Sequence, residues 1–258
     1  MVRGLEKFKE FFADLGDHYV VIGGTACDII LEEEGFTPRV TKDVDIILII
    51  EALDREFAER FWAFIREGGY ARREKGDAGR QYYRFTKPSQ EDFPQQIELF
   101  ARRPDVIAFD EAAHLTPIPL DDDLSSLSAI LLDDAYYHYM IDHSELRQGV
   151  RCANVEALIT LKAKAFLEIS DRIAHGGIED SKHIRKHKED IFRLALTLRS
   201  TDNHVLPDSL KADLQMFMQR ISDDLPDKEF FKRMGLSGTD PRVVYDAIVG
   251  VFQLDIRL

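Results

Sequence analysis

The chain is poor in cysteine, with two in 258 residues, Cys27 and Cys152, far apart in sequence. They fit no metal-ligand spacing, and their usage suits a reducing compartment and argues against a disulfide scaffold. Long apolar runs are lacking too. The longest, Ile46 to Ile50 with its flanks, is too short to span a bilayer. The segment Met1 to Lys7 enters an amphipathic pattern containing an acid, Glu6, and offers no secretory core. The expectation is a soluble cytoplasmic protein with no membrane partner. Positive charge is in deficit: Lys plus Arg is 34 against 47 for Asp plus Glu, a net charge of −13. That excludes a broadly basic protein that wraps nucleic acid, but not a local basic patch.

What is present suffices for a core, since 45% of residues are hydrophobic and 31% charged, well outside the composition of disordered chains. At roughly 100–200 residues per domain, the length allows one large domain or two modest ones. Leu5, Phe8, Phe12 and Leu15 recur at helical spacing, with Gly16 as a stop signal. His18 to Ile22 is a compact apolar run closed by Gly23-Gly24, and Thr25 to Glu34 reads as a helix. Asp43 to Ile50 is rich in Val and Ile and predicts a strand. Leu53 to Glu67 has helical periodicity through Phe57, Phe61 and Phe64. Gln81–Lys87 and Gln96–Ala101 then read as an antiparallel hairpin with a long loop.

From about Asn154, an N-cap candidate with Glu156 in the first turn, the pattern becomes helical: Asn154–Ala174, Ser181–Arg199, Leu206–Ser222 and Pro241–Gln253. The boundary falls near residue 150, between a mixed α/β domain over 1–150 and a helical domain over 151–258. No repeat or low-complexity tract is visible, and Asp121-Asp122-Asp123 reads as a solvated turn.

Three features of the first half carry chemistry. Asp43 and Asp45 stand two apart at the start of a strand, so both carboxylates share one face while Val44 and Ile46 take the other. Such a pair either lies on a solvated strand edge or holds hard divalent cations, with Mg²⁺ favoured by carboxylate, water and phosphate oxygens. Gly23-Gly24-Thr25 joins a strand to a helix. It is either a tight turn without a ligand, or a site where a phosphate meets free backbone N–H groups and the Thr25 hydroxyl. No Lys-Ser/Thr pair follows, which disfavours a P-loop ATPase. Glu98 interrupts the apolar strand Gln96-Ile97-Glu98-Leu99-Phe100. It stands either on a solvated face or as a third metal ligand, and all three acids meet if that strand lies beside Asp43–Ile50.

Taken together, Val20-Val21-Ile22-Gly23-Gly24-Thr25-Ala26 and Arg39-Val40-Thr41-Lys42-Asp43-Val44-Asp45-Ile46 resemble a family signature. It is the GG-x-A … R-x-T-x-D-x-D pattern of AbiEii-type nucleotidyltransferases, members of the DNA polymerase β superfamily. The resemblance implies an α+β fold: a nucleotidyltransferase-like mixed β-sheet with flanking helices, plus a C-terminal helical domain that completes the nucleotide cleft. It implies two Mg²⁺ ions on Asp43, Asp45 and Glu98, and nucleotide phosphates at Gly23, Gly24 and Thr25. Glu98 departs from the aspartate commoner at the third position.

The second half extends the likeness. Leu161-Lys162-Ala163-Lys164-Ala165 and His187-Lys188-Glu189-Asp190-Ile191 are similar to the family's LKA-x-A helix and to the Lys/Asp-bearing helix after it. The triphosphate-holding role so falls on Lys162 and Lys188, with Asp190 in support and Lys164, Lys182 and Lys186 as competing candidates. The implied activity is transfer of a nucleoside monophosphate from an NTP to an acceptor hydroxyl. The implied acceptor is RNA, such as a tRNA end, in a toxin–antitoxin setting with an antitoxin partner, although related folds modify antibiotics or proteins. Two other readings stand beside it: a non-catalytic relative that binds a nucleotide or a partner chain, and a phosphohydrolase using the same acids.

Other candidates have bland alternatives. Lys182, Arg185 and Lys186 share a helix face by i, i+3, i+4 spacing and suit either solvent or a phosphate backbone. His183 and His187 stand four apart without the HExxH glutamate of a zinc site. Tyr136, Tyr137 and Tyr139 either stack a base or, beside Leu131, Leu132 and Met140, belong to the core, and Trp62 reads as core. Ser125, Ser126 and Ser128 lack a Gly-x-Ser-x-Gly elbow.

Overall fold

The computed structural model describes residues 3–39, 41–49, 51–52, 54–75, 82–100, 116–117, 130–131, 133–177 and 181–256, with backbone alone at 72–75, 82, 116–117 and 181. Val40, Asp121–Asp123, Ser125, Ser126, Ser128 and Asp180 lie outside the described residues. The chain forms two compact units, one of residues 1–29, 38–121 and 140–154, the other of 30–37, 122–139 and 155–258.

In the first unit, α1 (Leu5–Phe12) buries Leu5, Phe8 and Phe12, and a short 3₁₀ turn (Ala13–Leu15) leads to β1 (Tyr19–Ile22), whose four residues are all buried. The next helix, α2 (Gly23–Glu33), starts on the glycine pair itself. The following strand, β2 (Asp43–Leu48), alternates half-buried Asp43 and Asp45 with buried Val44 and Ile46 and then stays buried to Leu48. Asp54 caps α3 (Arg55–Glu67) by accepting the Phe57 N–H at 2.8 Å, which satisfies one of the free donors at a helix start. Four more strands follow: β3 (Arg72–Lys75), β4 (Tyr82–Thr86), β5 (Gln96–Phe100) and the two-residue β6 (Thr116–Pro117).

The strands form one mixed sheet in the order β6-β3-β4-β5-β2-β1-β8-β7, whose last two strands are β7 (Ser144–Arg147) and β8 (Val150–Ala153). β4 and β5 pair antiparallel, the arrangement expected of that hairpin, while β2 and β5 run parallel. The β7–β8 hairpin is not anticipated from the sequence. Its turn, Gln148-Gly149, takes φ of 48° and 85°, the doubly positive backbone that two-residue hairpin turns favour. Packing under the sheet is aromatic: Phe64 meets Phe8 at 5.9 Å, Phe12 at 5.3 Å and Phe93 at 4.8 Å between ring centroids. Trp62 meets Phe85 edge-on at 5.9 Å, a core placement.

The second unit is helical. It holds most of α4 (Asp134–Asp142), then α5 (Val155–Ala174), α6 (Ser181–Ala195), α7 (Asp208–Arg220), α8 (Lys228–Arg233) and α9 (Pro241–Val251). The expected helix over 181–199 ends at Ala195, where turn hydrogen bonds from Leu196, Thr197 and Leu198 take over. A six-residue helix such as α8 is too short for periodicity to reveal. Phe166 of α5 meets Phe217 of α7 at 5.0 Å, and the Tyr245 hydroxyl of α9 donates to the Met218 carbonyl at 3.0 Å. No helix among the described residues is long and apolar enough to cross a membrane.

Candidate functional site

Chain order and strand pairing bring the glycine turn, the aspartate pair and Glu98 together in the first unit. β1 and β2 are antiparallel, so the end of β1 meets the start of β2 and Ile22 pairs with Asp45. Gly23 is the next residue and opens α2, which puts the helix start beside the aspartates. The approach is close: a Cβ built on Gly23 would stand 1.8 Å from Asp45 Oδ2, and Gly23 has φ of 67°. Only glycine meets both conditions at no steric cost.

On the other side of β2, parallel pairing with β5 sets Asp43 against Gln96 and Asp45 against Glu98. Glu98 is 5% exposed, so it does not stand on a solvated face. Its Oε1 accepts from Arg84 Nε at 3.0 Å and from Gln96 Nε2 at 2.7 Å. Arg84 comes from β4, directly opposite Glu98 in the antiparallel register. Burial pushes the Glu98 carboxyl well above its ordinary range, and the Asp45 charge pushes it further. The Arg84 guanidinium opposes both, and Glu98 and Asp45 also share a hydrogen bond. Two carboxyls in such contact require a shared proton or a nearby cation.

Thr25 is wholly buried, and its hydroxyl donates to the Asp43 carbonyl at 2.5 Å. In this position it ties α2 to the strand that carries the aspartates. One helical turn on, buried Asp28 accepts the backbone N–H groups of Arg39 at 3.2 Å and Thr41 at 2.6 Å. Gly24 lies under these two side chains: a Cβ there would meet Thr41 Oγ1 at 2.8 Å and Arg39 Nη2 at 3.2 Å. The buried Thr41 Oγ1 has no hydrogen-bond partner among the described residues. Sequence reading missed Asp28 and Arg84. An acid in a helix and a base in a strand are unremarkable until register shows which groups face them.

The basic candidates belong to the second unit. Lys162 of α5 is 4% exposed and its Nζ donates to Asp190 Oδ2 of α6 at 2.9 Å. Arg193 holds the other Asp190 oxygen at 2.9 Å. Lys188 donates to the Asp224 carbonyl at 2.7 Å and to its carboxylate at 2.6 Å, and Lys164 pairs with Asp213 at 3.1 Å. Asp213 also accepts from the Tyr136 hydroxyl at 2.9 Å, while Tyr137 and Tyr139 are buried. Lys182 is exposed, Lys186 half-buried, and Arg185 pairs with Glu189 at 3.2 Å. His187 is buried and His183 half-buried.

The carboxylates of Asp43 and Asp45 are hard oxygen donors of the kind Mg²⁺ takes. Glu98 differs, because its Oε1 is already engaged by two donors. Among the described residues no group of three or more His, Cys, Asp or Glu side chains is set to hold a metal ion. No family model, curated protein or solved structure matches this chain.

Proposed function

We propose that the chain is a metal-dependent nucleotidyltransferase that moves a nucleoside monophosphate from an NTP to an acceptor hydroxyl. The observation that carries this reading is the position of Asp45, pressed against Gly23 at the start of α2 and hydrogen-bonded to Glu98 of β5. The three features that resemble the AbiEii-type signature thus meet around one side chain.

In this reading Asp43 and Asp45 hold the divalent cation, which when bound neutralises phosphate charge and acidifies the acceptor hydroxyl. Gly23 and Gly24 let phosphate oxygens approach the free N–H groups of α2, and the Arg39 guanidinium beside Gly24 adds positive charge. With a cation at Asp45 to favour its ionised form, Glu98 would take up the proton the hydroxyl gives up. The acceptor oxygen forms its bond to the α-phosphorus as the bond to pyrophosphate breaks. RNA is the first acceptor to test, with an antitoxin as the partner of such a system.

A second reading is a non-catalytic relative that binds a nucleotide or a partner chain. It is favoured by the engagement of Glu98 with Arg84 and Gln96. The experiment that separates them is incubation with Mg²⁺, each NTP radiolabelled at the α-phosphate, and total RNA or the protein itself as acceptor. Label transferred by the native chain and not by Asp43→Asn is the expected result. Mg²⁺-dependent NTP binding without transfer to any acceptor would favour the second reading.

A further inference from the structure

We infer that Asp28 is a positioning residue of the nucleotide site, acting through the segment it holds rather than by touching substrate. The inference rests on the transferase reading for its ligand, an NTP triphosphate, but its structural part stands on hydrogen bonds alone.

Asp28 lies one turn after Thr25 on α2, so the two side chains share the helix face turned toward the approach to β2. Thr25 grips that approach at the Asp43 carbonyl, and Asp28 grips it at the N–H groups of Arg39 and Thr41. A third tie, from the Gln95 N–H to the Lys42 carbonyl at 2.9 Å, fixes the same segment to the entry of β5. Asp28 is 3% exposed, and a buried carboxylate is stable only when its oxygens are well supplied with donors. Here both oxygens are used, Oδ1 by Arg39 and Oδ2 by Thr41.

The consequence lies at the other ends of the two residues that Asp28 holds. Their side chains stand over Gly24, and Thr41 presents a buried hydroxyl oxygen with no partner among the described residues. A hydroxyl and a guanidinium set over the second residue of a helix are suited to a phosphate oxygen. Neither is placed there by its own helix or strand. Both have their backbone N–H groups on one carboxylate, so loosening Asp28 loosens the two together.

The test compares the native chain with Asp28→Asn and Asp28→Ala. Amide hydrogen exchange at Arg39 and Thr41 reads the structural part, and titration with ATP in the presence of Mg²⁺ reads the ligand part. Asn keeps one acceptor oxygen but puts an NH₂ against the other N–H, so both variants lose at least one charge-assisted bond. Exchange at the two amides is expected to speed up by roughly tenfold or more, with protection of the β1 and β2 core retained. ATP affinity is expected to fall by about tenfold, more in Ala than in Asn, with Thr41→Val producing a similar fall and unchanged exchange at Arg39. Unchanged exchange in both Asp28 variants would overturn the inference. So would faster exchange with native ATP affinity, because Asp28 would then be merely structural. A native chain that binds no NTP at all would overturn the transferase reading itself, and with it the ligand part of this inference.

Discussion

The Asp45 carboxylate occupies the space in which a side chain on Gly23 would have to begin, 1.8 Å from the ideal Cβ position to Oδ2. The contact joins a backbone requirement to a chemical one. Because the obstructing atom is the far end of a side chain, Gly23→Ala is accommodated by swinging Asp45 aside. The positive φ adds a conformational cost of about 1–2 kcal/mol. The variant is expected to stay folded, with a modestly lower thermal midpoint, and to lose Mg²⁺-dependent NTP binding as fully as Asp45→Asn does. Calorimetry of both variants, with ATP titration, checks it.

This relationship is half legible in the sequence. Asp43 and Asp45 announce themselves because a period of two against Val44 and Ile46 leaves little doubt about their shared face, and Gly23-Gly24 marks the turn. Their proximity depends on β1 and β2 pairing antiparallel with Ile22 opposite Asp45, which no local pattern dictates. Glu98 is visible as an acid in an apolar strand. Its partner Arg84 is not, because a cross-strand neighbour is fixed by register across a long loop. Thr25 reads as a phosphate donor in the sequence, whereas in the structure its hydroxyl reaches the Asp43 carbonyl. The β7–β8 hairpin escapes notice because Ser144–Arg147 is polar and carries no alternating apolar pattern.

The raised Glu98 carboxyl makes stability depend on pH in a definite direction. Between the ordinary carboxylate range and its raised value in the fold, the folded chain holds a proton there that the unfolded chain has released. Unfolding in that window releases a proton, so this contribution is complete below the ordinary range and is lost as pH rises through the raised value. Glu98→Gln is neutral throughout. Its stability relative to the native chain is therefore expected to improve as pH rises across the window, as urea midpoints at several pH values would show. A parallel pair of curves would remove Glu98 as the cause.

Arg84→Met tests the other half of that pair. Arg84 and Glu98 have side chains 13% and 7% exposed and meet at 3.0 Å. Removing one partner of a buried pair costs about 3–5 kcal/mol while the other stays charged. The loss is expected in full only above the raised Glu98 value. Below the ordinary carboxylate range Glu98 is neutral in both states and the loss shrinks to that of a hydrogen bond. Denaturation of Arg84→Met at an acidic and an alkaline pH measures the difference.

Thr25 separates a structural hydroxyl from a ligand-binding one. Thr25→Val keeps the shape but strips the donor from the Asp43 carbonyl, at a cost of about 0.5–1.5 kcal/mol, the net worth of one hydrogen bond. Thr25→Ser keeps the donor and is expected to recover most of that stability. If the hydroxyl instead served a phosphate, Thr25→Val would weaken ATP binding without lowering the urea midpoint.

Lys162 and Asp190 pose the same question for the second unit, and a double substitution answers it. The pair is buried, at 5% and 3% side-chain exposure, and meets at 2.9 Å. When Lys162 is changed to Met, Asp190 keeps Arg193 at 2.9 Å. When Asp190 is changed to Leu, the buried ammonium loses the carboxylate that faces it. Either single change removes the partner at 2.9 Å from a buried charge and is expected to cost about 3–5 kcal/mol. The double variant should regain much of the loss, since neither unbalanced charge remains buried. Urea denaturation of the three variants fixes that ordering. ATP titration of the double variant then isolates the role of the charge from the role of the fold. Weakened binding in a chain of restored stability is expected if Lys162 serves the triphosphate. Native binding there would confine the pair to holding α5 against α6.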